Sequence, residues 1–151
     1  MLSAFADYRA VWIEITKSAH GHGGPGWEFG SCLWSPSTNR DGRDYYRLMR
    51  DIKPKDLVLH FYRDKWPDGK SETRIAGMSI AAQRYKEIRE QPPMPGDWAD
   101  MSPYYRVQLR DYQPFPAPLP LRPFLQQYRD DLVRDLKENQ PIHYPFYAYQ
   151  D

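Results

Sequence analysis

Short runs of β-branched and aromatic residues, separated by segments rich in glycine or proline, constrain the fold of this chain most strongly. Such runs are typical of strands, and the segments between them break regular structure. We expect four strands, at residues 10–15, 57–62, 74–80 and 105–112. The turn residues at 66–69 predict that the second and third of these strands form a hairpin.

Two helices and three irregular segments are expected around these strands. Apolar side chains recur at helical spacing in residues 41–49 and 124–139, which predicts a short helix and a C-terminal helix. Residues 21–30 and 91–103 predict two long loops, because their glycines and prolines leave the backbone too free or too constrained. Residues 114–123 predict a proline-rich connector extended along the surface. The residues expected to point inward from the first loop are Trp27 and Phe29.

The length of 151 residues fits one domain with one core, since domains commonly span roughly 100–200 residues. The mixture of short strands and few helices predicts the α+β class. We expect a small twisted β-barrel flanked by two or three helices, with residues 1–151 forming a single domain.

Composition limits the classes of protein that this chain fits. No run reaches the roughly 18 apolar residues of a membrane span, and the first ten residues lack the pattern of a signal peptide. We therefore expect a cytoplasmic protein with no membrane partner. The single cysteine, Cys32, has no partner for an internal disulfide. The formal net charge is only +1, so nucleic-acid binding would need a local cluster of basic residues. The clustered residues are Arg40, Arg43, Arg47, Arg50, Lys53 and Lys55.

The candidates for catalysis are weak. His20 and His22 with Cys32 lack a fourth ligand and a zinc-site spacing, so we expect no metal. Asp68 and Glu72 resemble a nuclease carboxylate pair but lie in the predicted hairpin. Cys32 and His20 as nucleophile and base lack an orienting group, and no phosphate-binding glycine loop is present. We expect a binding module without a cofactor, and a small hydrolase is the disfavoured alternative.

The aromatic content is high for so small a domain, with 12 Tyr, 6 Phe and 5 Trp. Core filling alone does not explain it, because Tyr and Trp suit half-exposed surfaces. Trp34 and Trp98 both lie in polar segments, although an indole there can also fold back onto a barrel. The polar residues grouped with them are Ser18, His20, Ser35 and Asn39. A flipped nucleobase needs ring faces for stacking and polar groups for its edge, so this set favours a base-binding pocket.

The order of motifs resembles the YTH and EVE branch of the PUA-like superfamily. The matching motifs are Thr16-Lys17-Ser18, then Leu33-Trp34-Ser35-Pro36 with Asn39, then the strands at 57–62 and 75–77. The strings GPGWEFGSCLWSP, KPKDLVLHF and a later YPF resemble EVE-like recognition domains fused to nuclease or motor modules in prokaryotic modification-dependent restriction systems. This resemblance covers about residues 10–113. Residues 114–151 would then be a connector and a C-terminal helix leading to a missing effector domain.

The resemblance implies an aromatic cage for a modified base within a PUA-like barrel. Trp34 would form one wall, Ser18 and Ser35 would contact the base edge, and Asn39 would contact the base or its sugar. Trp98 is the first candidate for the second wall. The substitute candidates are Trp27, Tyr104 and Tyr85. The YTH pattern has asparagine after its lysine-serine, where this chain has Ala19 and His20, and this departure favours a modified cytosine over N6-methyladenine.

The sequence therefore leads to the hypothesis of a non-enzymatic reader of modified double-stranded DNA. It would flip 5-methylcytosine or 5-hydroxymethylcytosine out of the duplex, with N6-methyladenine as a further possibility. Binding of the base would then activate a fused or associated nuclease or motor domain. The residues expected to grip phosphates are Arg40, Arg43, Arg47 and Lys55. Two alternatives stay open: a modified-RNA binding module of the same fold, and a protein-interaction module that uses the aromatic loops and the proline-rich segment.

Overall fold

The computed structural model describes residues 10–17, 23–44, 46–131 and 133–134. In this part of the chain, six strands form a sheet that curls into a nearly closed barrel. The strands are β1 (Val11–Lys17), β2 (Cys32–Pro36), β3 (Leu57–Lys65), β4 (Ser71–Ala81), β5 (Lys86–Ile88) and β6 (Tyr104–Pro120). The flanking helices are two 3-10 helices (Arg47–Asp51 and Gly96–Trp98) and α1 (Leu121–Gln127). The expected α+β class with a small barrel-like sheet is confirmed at this level.

The strand order β1-β3-β4-β6-β2 places β1 and β2 at the two ends of the sheet. β1 runs parallel to β3, whereas β3, β4 and β6 pair antiparallel. The first part of β6 pairs with β2 and β5, and its later part pairs with β4. The pairing register shifts near Asp111, whose φ is 54°. Such irregularities bend a strand, and β6 accordingly curves the sheet so that its two end strands approach each other.

The barrel interior is filled by apolar side chains from several strands. The main cluster comprises Leu33, Ile52, Val58, Ala81, Val107 and Leu109. Trp12 packs against this cluster from β1. Its indole Nε1 donates to Asp56 Oδ2 at 2.8 Å, and the same oxygen accepts from the Lys53 backbone N–H at 2.9 Å. These bonds tie the turn before β3 to β1 and so fix the position of one end strand.

All four predicted strands are confirmed, and each is longer in the structure than the pattern indicated. The hairpin is also confirmed, with Trp66 N–H donating to Lys70 O at 2.9 Å. Trp27 points inward as expected, since it is only 5% exposed, and Phe29 is half-buried. No helix within the described segments has the length and apolar character needed to cross a membrane.

The predicted helix at 41–49 is wrong in its bounds, because only the 3-10 helix Arg47–Asp51 forms. The Asn39 side chain holds the preceding segment in a turn instead: its Oδ1 accepts from the backbone N–H groups of Asp41 and Arg43 at 3.0 and 2.9 Å. Asparagine commonly competes with helix formation in this way. The C-terminal helix begins at Leu121, before the expected residue 124, and residues 135–139 of that prediction lie outside the described residues.

Residues 114–120 are extended and mostly exposed as predicted, but they form the end of β6 instead of a separate connector, and Pro114, Leu119 and Pro120 pair with β4. The prolines occupy every second position, at residues 114, 116, 118 and 120. The pairing register jumps from Leu119 to Pro114 opposite a single residue of β4, so residues 115–118 bulge out of the ladder with β4. Proline is found at such bulges and at sheet edges.

Two strands were missed by the sequence patterns. Trp34, Ser35 and Pro36 were expected in a segment too polar for a core strand, yet Cys32–Pro36 forms β2 opposite residues 104–108 of β6. Four of its five residues are buried, since Leu33 belongs to the core cluster and the first loop packs against Trp34. β5 (Lys86–Ile88) is only three residues long and has no apolar alternation to reveal it.

Candidate functional site

The gap between the two end strands of the sheet opens into a cavity of about 260 Å³. One wall is residues 12–16 of β1, and the opposite wall is Leu33, Trp34 and Ser35 of β2. The remaining sides are formed by Tyr46, Leu48, Met49, Ile52 and Trp98. The cavity is slightly smaller than typical small-ligand pockets of about 300–1,000 Å³. It therefore suits one compact planar group better than an extended ligand.

Trp34 is half-buried in the wall formed by β2 and is held by ring contacts from behind. The Trp27 ring meets it edge-on, with centroids 6.0 Å apart and planes at 86°, and the Tyr104 ring lies 6.3 Å away at 64°. The Arg106 guanidinium stacks 4.4 Å from the centroid of the Trp27 ring. Trp27 is almost fully buried and lies outside the cavity lining, so it supports Trp34.

Trp98 reaches the same cavity from the proline-rich loop, 64 residues further along the chain. It ends the 3-10 helix Gly96–Trp98, and its carbonyl accepts a hydrogen bond from the Tyr104 hydroxyl at 2.6 Å. That hydroxyl also accepts from the Met101 backbone N–H at 3.1 Å. The Tyr46 ring meets the Trp98 ring edge-on at 5.9 Å. Tyr104 is fully buried, so its contacts anchor the loop that carries Trp98.

The two long loops are joined to each other beside the cavity. Gly23 and Met94 exchange backbone hydrogen bonds of 3.2 and 2.8 Å. Gly23 has a φ of +75°, and a Cβ atom there would lie 2.5 Å from Trp27 Cβ and 3.0 Å from Trp34 Nε1. Only glycine fits this position, which combines a left-handed backbone with close packing. The backbone of the first loop is thus pressed against the two indoles.

Ser35 and Glu14 supply polar atoms to the cavity wall. The Ser35 hydroxyl donates to Met49 Sδ at 3.1 Å. Because a thioether is a weak acceptor, a carbonyl oxygen or ring nitrogen of a ligand would readily replace the sulfur as the acceptor. Glu14 Oε2 contacts His60 Nδ1, and His60 Nε2 contacts Ser79 Oγ at 2.7 Å. The sequence patterns did not single out Glu14, although alternation along β1 places it on the same face as Trp12.

The chain Ser79–His60–Glu14 has the residue types of a hydrolase triad. Ser79 and His60 are both 0% exposed, so the serine hydroxyl does not reach the cavity. Cys32, the other candidate nucleophile, is 2% exposed, and desolvation raises the pKa of its thiol. Burial therefore disfavours nucleophilic roles for both residues.

The remaining acidic and metal-ligand candidates have structural partners or lie elsewhere. Asp68 and Glu72 both pair with Arg74 in the hairpin, at 2.5 and 2.8 Å. Among the residues that the structure describes, no group of three or more His, Cys, Asp or Glu side chains is arranged to hold a metal ion. Two residues of the predicted site, Ser18 and His20, lie outside the described residues.

Two other predicted residues lie away from the cavity lining. Asn39 uses its side-chain oxygen for the turn that precedes the first 3-10 helix. Tyr85 packs against the core, and its ring meets that of Tyr105 edge-on at 5.6 Å. The structure thus brings together Trp34, Ser35 and Trp98 from the predicted set, adds Tyr46 and Glu14, and places Trp27 and Tyr104 behind them.

The predicted phosphate-binding side chains are exposed. Arg47 begins the 3-10 helix whose next two residues line the cavity. Arg40 Nη2 donates to Asp97 O at 3.0 Å, which links the turn after β2 to the helix that ends at Trp98. Arg43, Arg47 and Lys55 have no ion pair among the described side chains, whereas Arg50 pairs with Asp44. Lys55 lies in the turn before β3.

No known protein-family model matches this chain, and no curated protein shows significant similarity to it. The motifs quoted for the YTH and EVE resemblance therefore remain the basis of that expectation.

Proposed function

We propose that this domain binds a modified nucleobase, flipped out of a DNA duplex, in the cavity between β1 and β2. The observation that carries this proposal is that Trp34 and Trp98, from two distant polar segments, line one cavity of about 260 Å³. Enzymes and readers that reach a base outside its helix hold it by stacking and by hydrogen bonds to its edge. Aromatic walls with a serine and a glutamate between them supply both kinds of contact.

The apolar part of the lining supports a preference for an alkylated base. Apart from Ile13 and Ile15, whose side chains are exposed on the other face of β1, the apolar residues that line the cavity are Leu33, Leu48, Met49 and Ile52. A methyl group placed against them is removed from water, and one buried methyl contributes about 0.8 kcal/mol, or roughly fourfold in affinity. A 5-methyl or 5-hydroxymethyl group on cytosine would meet such a wall.

The exposed basic residues support contact with the phosphate backbone. Arg47 lies between the cavity-lining residues Tyr46 and Leu48, and Arg43 precedes them in the chain. Both lack acidic partners among the residues described. Lys55 adds a further exposed charge. Because the formal net charge is only +1, attraction to DNA depends on this local set. Phosphate contacts would position the duplex, while the cavity would read the base.

The resemblance to PUA-like domains of the YTH and EVE type supports the same function. In that setting, the domain serves in the cytoplasm as the specificity module of a modification-dependent restriction system, and cleavage or translocation belongs to a nuclease or motor domain. The barrel-like sheet with short flanking helices is compatible with this fold. The carry-over of roles is supported at Trp34 and Ser35, which line the cavity.

An affinity panel with one labelled duplex tests the proposal. The target position carries cytosine, 5-methylcytosine, 5-hydroxymethylcytosine or, in an adenine version, N6-methyladenine, and matched RNA duplexes form a parallel series. We expect at least about fourfold tighter binding of a modified-cytosine DNA than of unmodified DNA, from burial of the added group. Equal affinity for every duplex contradicts the proposal, and tighter binding of the RNA series reassigns the ligand to RNA.

A further inference from the structure

We infer that Glu14 reads the edge of the bound base and selects bases that present an exocyclic amine over bases that present a carbonyl. This inference rests on the proposed function, since it assigns a role within the same cavity. Glu14 lies in the middle of the β1 wall and contributes to the cavity lining. Its side chain is 19% exposed, so a small part of it faces open space.

One carboxylate oxygen of Glu14 is occupied and the other is available. Oε2 contacts His60 Nδ1, and the His60 ring is in turn fixed by Ser79 at 2.7 Å and by the Phe29 ring at 5.0 Å. Oε1 has no hydrogen-bond partner among the described residues. Because His60 is fully buried, it fixes the carboxylate from behind, and Oε1 is the acceptor offered to a ligand.

The position of the carboxylate follows from strand register. Glu14 is directly opposite His60 in the parallel pairing of β1 with β3. Alternation along β1 turns Trp12, Glu14 and Thr16 to one face and leaves Val11, Ile13 and Ile15 exposed on the other. The glutamate is therefore held on the end strand of the sheet, at the gap where the cavity opens, and His60 and Ser79 act as positioning residues.

An ionised carboxylate accepts hydrogen bonds and donates none. An exocyclic amine, as on cytosine, donates to it, and pairing of Glu or Asp with the cytosine N4 amine is an established mode of base recognition. Thymine instead places carbonyl oxygens on both sides of its single edge N–H group. An oxygen of thymine brought against Glu14 would face another acceptor, which leaves both groups without a donor in a partly buried site.

A set of four single strands separates the amine from the methyl group. One labelled oligonucleotide carries cytosine, 5-methylcytosine, uracil or thymine at a single position, so that no pairing partner affects the comparison. Wild-type protein is expected to bind the 5-methylcytosine strand about tenfold more tightly than the thymine strand, and cytosine more tightly than uracil, as for a hydrogen bond to a charged group. Thymine binding as tightly as 5-methylcytosine overturns the inference without any variant.

Glu14→Gln tests the residue itself, because it keeps the shape but adds an amide donor. The ratio of 5-methylcytosine to thymine affinity is expected to fall to about two or below, while the ratio of 5-methylcytosine to cytosine affinity is retained. Glu72→Gln, in the hairpin beside Arg74, is the matched control and should leave both ratios unchanged. A folded Glu14→Gln protein with the wild-type amine preference overturns the inference. Loss of the methyl preference in wild type, with the amine preference intact, overturns the proposed reader function instead.

Discussion

Two aromatic clusters of this domain differ in what surrounds their rings. The seam cluster, Trp34, Tyr46 and Trp98, lines the cavity between the end strands, and its rings are half-buried. The packed cluster comprises Phe29, His60, Tyr62 and Tyr112. Its rings pack against one another: the centroids of the other three rings lie 5.0 to 5.7 Å from the centroid of Phe29.

In the packed cluster, the Tyr112 ring is pressed against the backbone. A Cβ atom on Gly30 or Gly77 would lie 2.6 or 2.9 Å from the Tyr112 ring, so that ring rests directly on two glycines. Desolvation raises the pKa of both Tyr62 and Tyr112. An abundance of aromatic residues therefore does not itself indicate a binding site. A site is indicated only where the strand order leaves the barrel open.

The largest expected effect is on stability in the packed region. In Gly77→Ala the new Cβ would lie 2.5 Å from the backbone oxygen of Gln113, so β4 and β6 must separate locally. We expect a loss of about 3 kcal/mol in the free energy of unfolding, at the upper end of the usual overpacking cost. Urea unfolding followed by circular dichroism measures it.

Gly69→Ala is the matched control for this substitution. Gly69 has a φ of +86° but open space around its Cβ position, so only the backbone conformation is strained. We expect a loss of about 1 kcal/mol. Equal losses of unfolding free energy in Gly69→Ala and Gly77→Ala would show that β4 and β6 are not in tight contact at Gly77.

The next largest effect is on recognition at the seam cluster. Trp34→Ala removes one stacking face, and stacking contributes roughly 1–3 kcal/mol per base. We expect at least about tenfold weaker binding of a modified duplex, together with loss of the preference over unmodified duplex. Fluorescence anisotropy with a labelled duplex measures both quantities.

Trp66→Ala provides the comparison for Trp34→Ala. Trp66 is also half-buried, but it lies in the hairpin, donates to Glu72 O at 2.8 Å and packs under Arg74. Its removal should leave the ratio of modified to unmodified affinity unchanged. If the Trp34→Ala variant still prefers the modified duplex over the unmodified one, the base is not bound in the cavity between β1 and β2.

A smaller effect is expected at the anchor of Trp98. Tyr104→Phe deletes the hydroxyl that holds the Trp98 carbonyl and the Met101 N–H. We expect a loss of about 1 kcal/mol in stability and a reduction of a few-fold in affinity for the modified duplex. Tyr105→Phe changes the neighbouring buried tyrosine of the same strand and should not alter affinity. An identical loss of affinity in the two variants would mean that the anchor does not position the cavity wall.

The smallest expected effect concerns Arg47. Arg47→Ala should weaken binding of modified and unmodified duplexes alike and reduce the slope of log affinity against log salt by about one, as for one lost phosphate contact. Titrations at several salt concentrations give the slope. Arg122→Ala, on α1 beside β4, should leave it unchanged. A selective loss for the modified duplex in Arg47→Ala would place that arginine at the base instead of the backbone.

Local signals predicted the parts of the fold that depend on neighbouring residues. The runs at 57–62 and 74–80 are apolar and β-branched, and the turn residues between them predict their hairpin. β2 escaped prediction because its pairing with β6 joins residues about 70 positions apart, and nothing in Cys32–Pro36 reveals that partner. The prolines of β6 favoured a connector because proline lacks an N–H donor, whereas in the structure they fall at and around the interruption of the pairing with β4.

The residues of the candidate site also divide into those with a local sequence signal and those without one. Trp34 and Trp98 were recognised because indoles in polar segments are unusual. Glu14 was missed because its importance depends on the register of β1 with β3, which places it opposite His60. Trp27 and Tyr104 belong behind the cavity, and only the packing of the two loops shows that they support Trp34 and Trp98.

The most direct measurement is a crystal structure of the domain bound to a short duplex with one 5-methylcytosine. We predict that this base is rotated out of the helix and lies in the cavity with its ring against Trp34 and Trp98. A base that stays stacked in the duplex, with the protein touching only phosphates, or a base bound at any other surface, contradicts it.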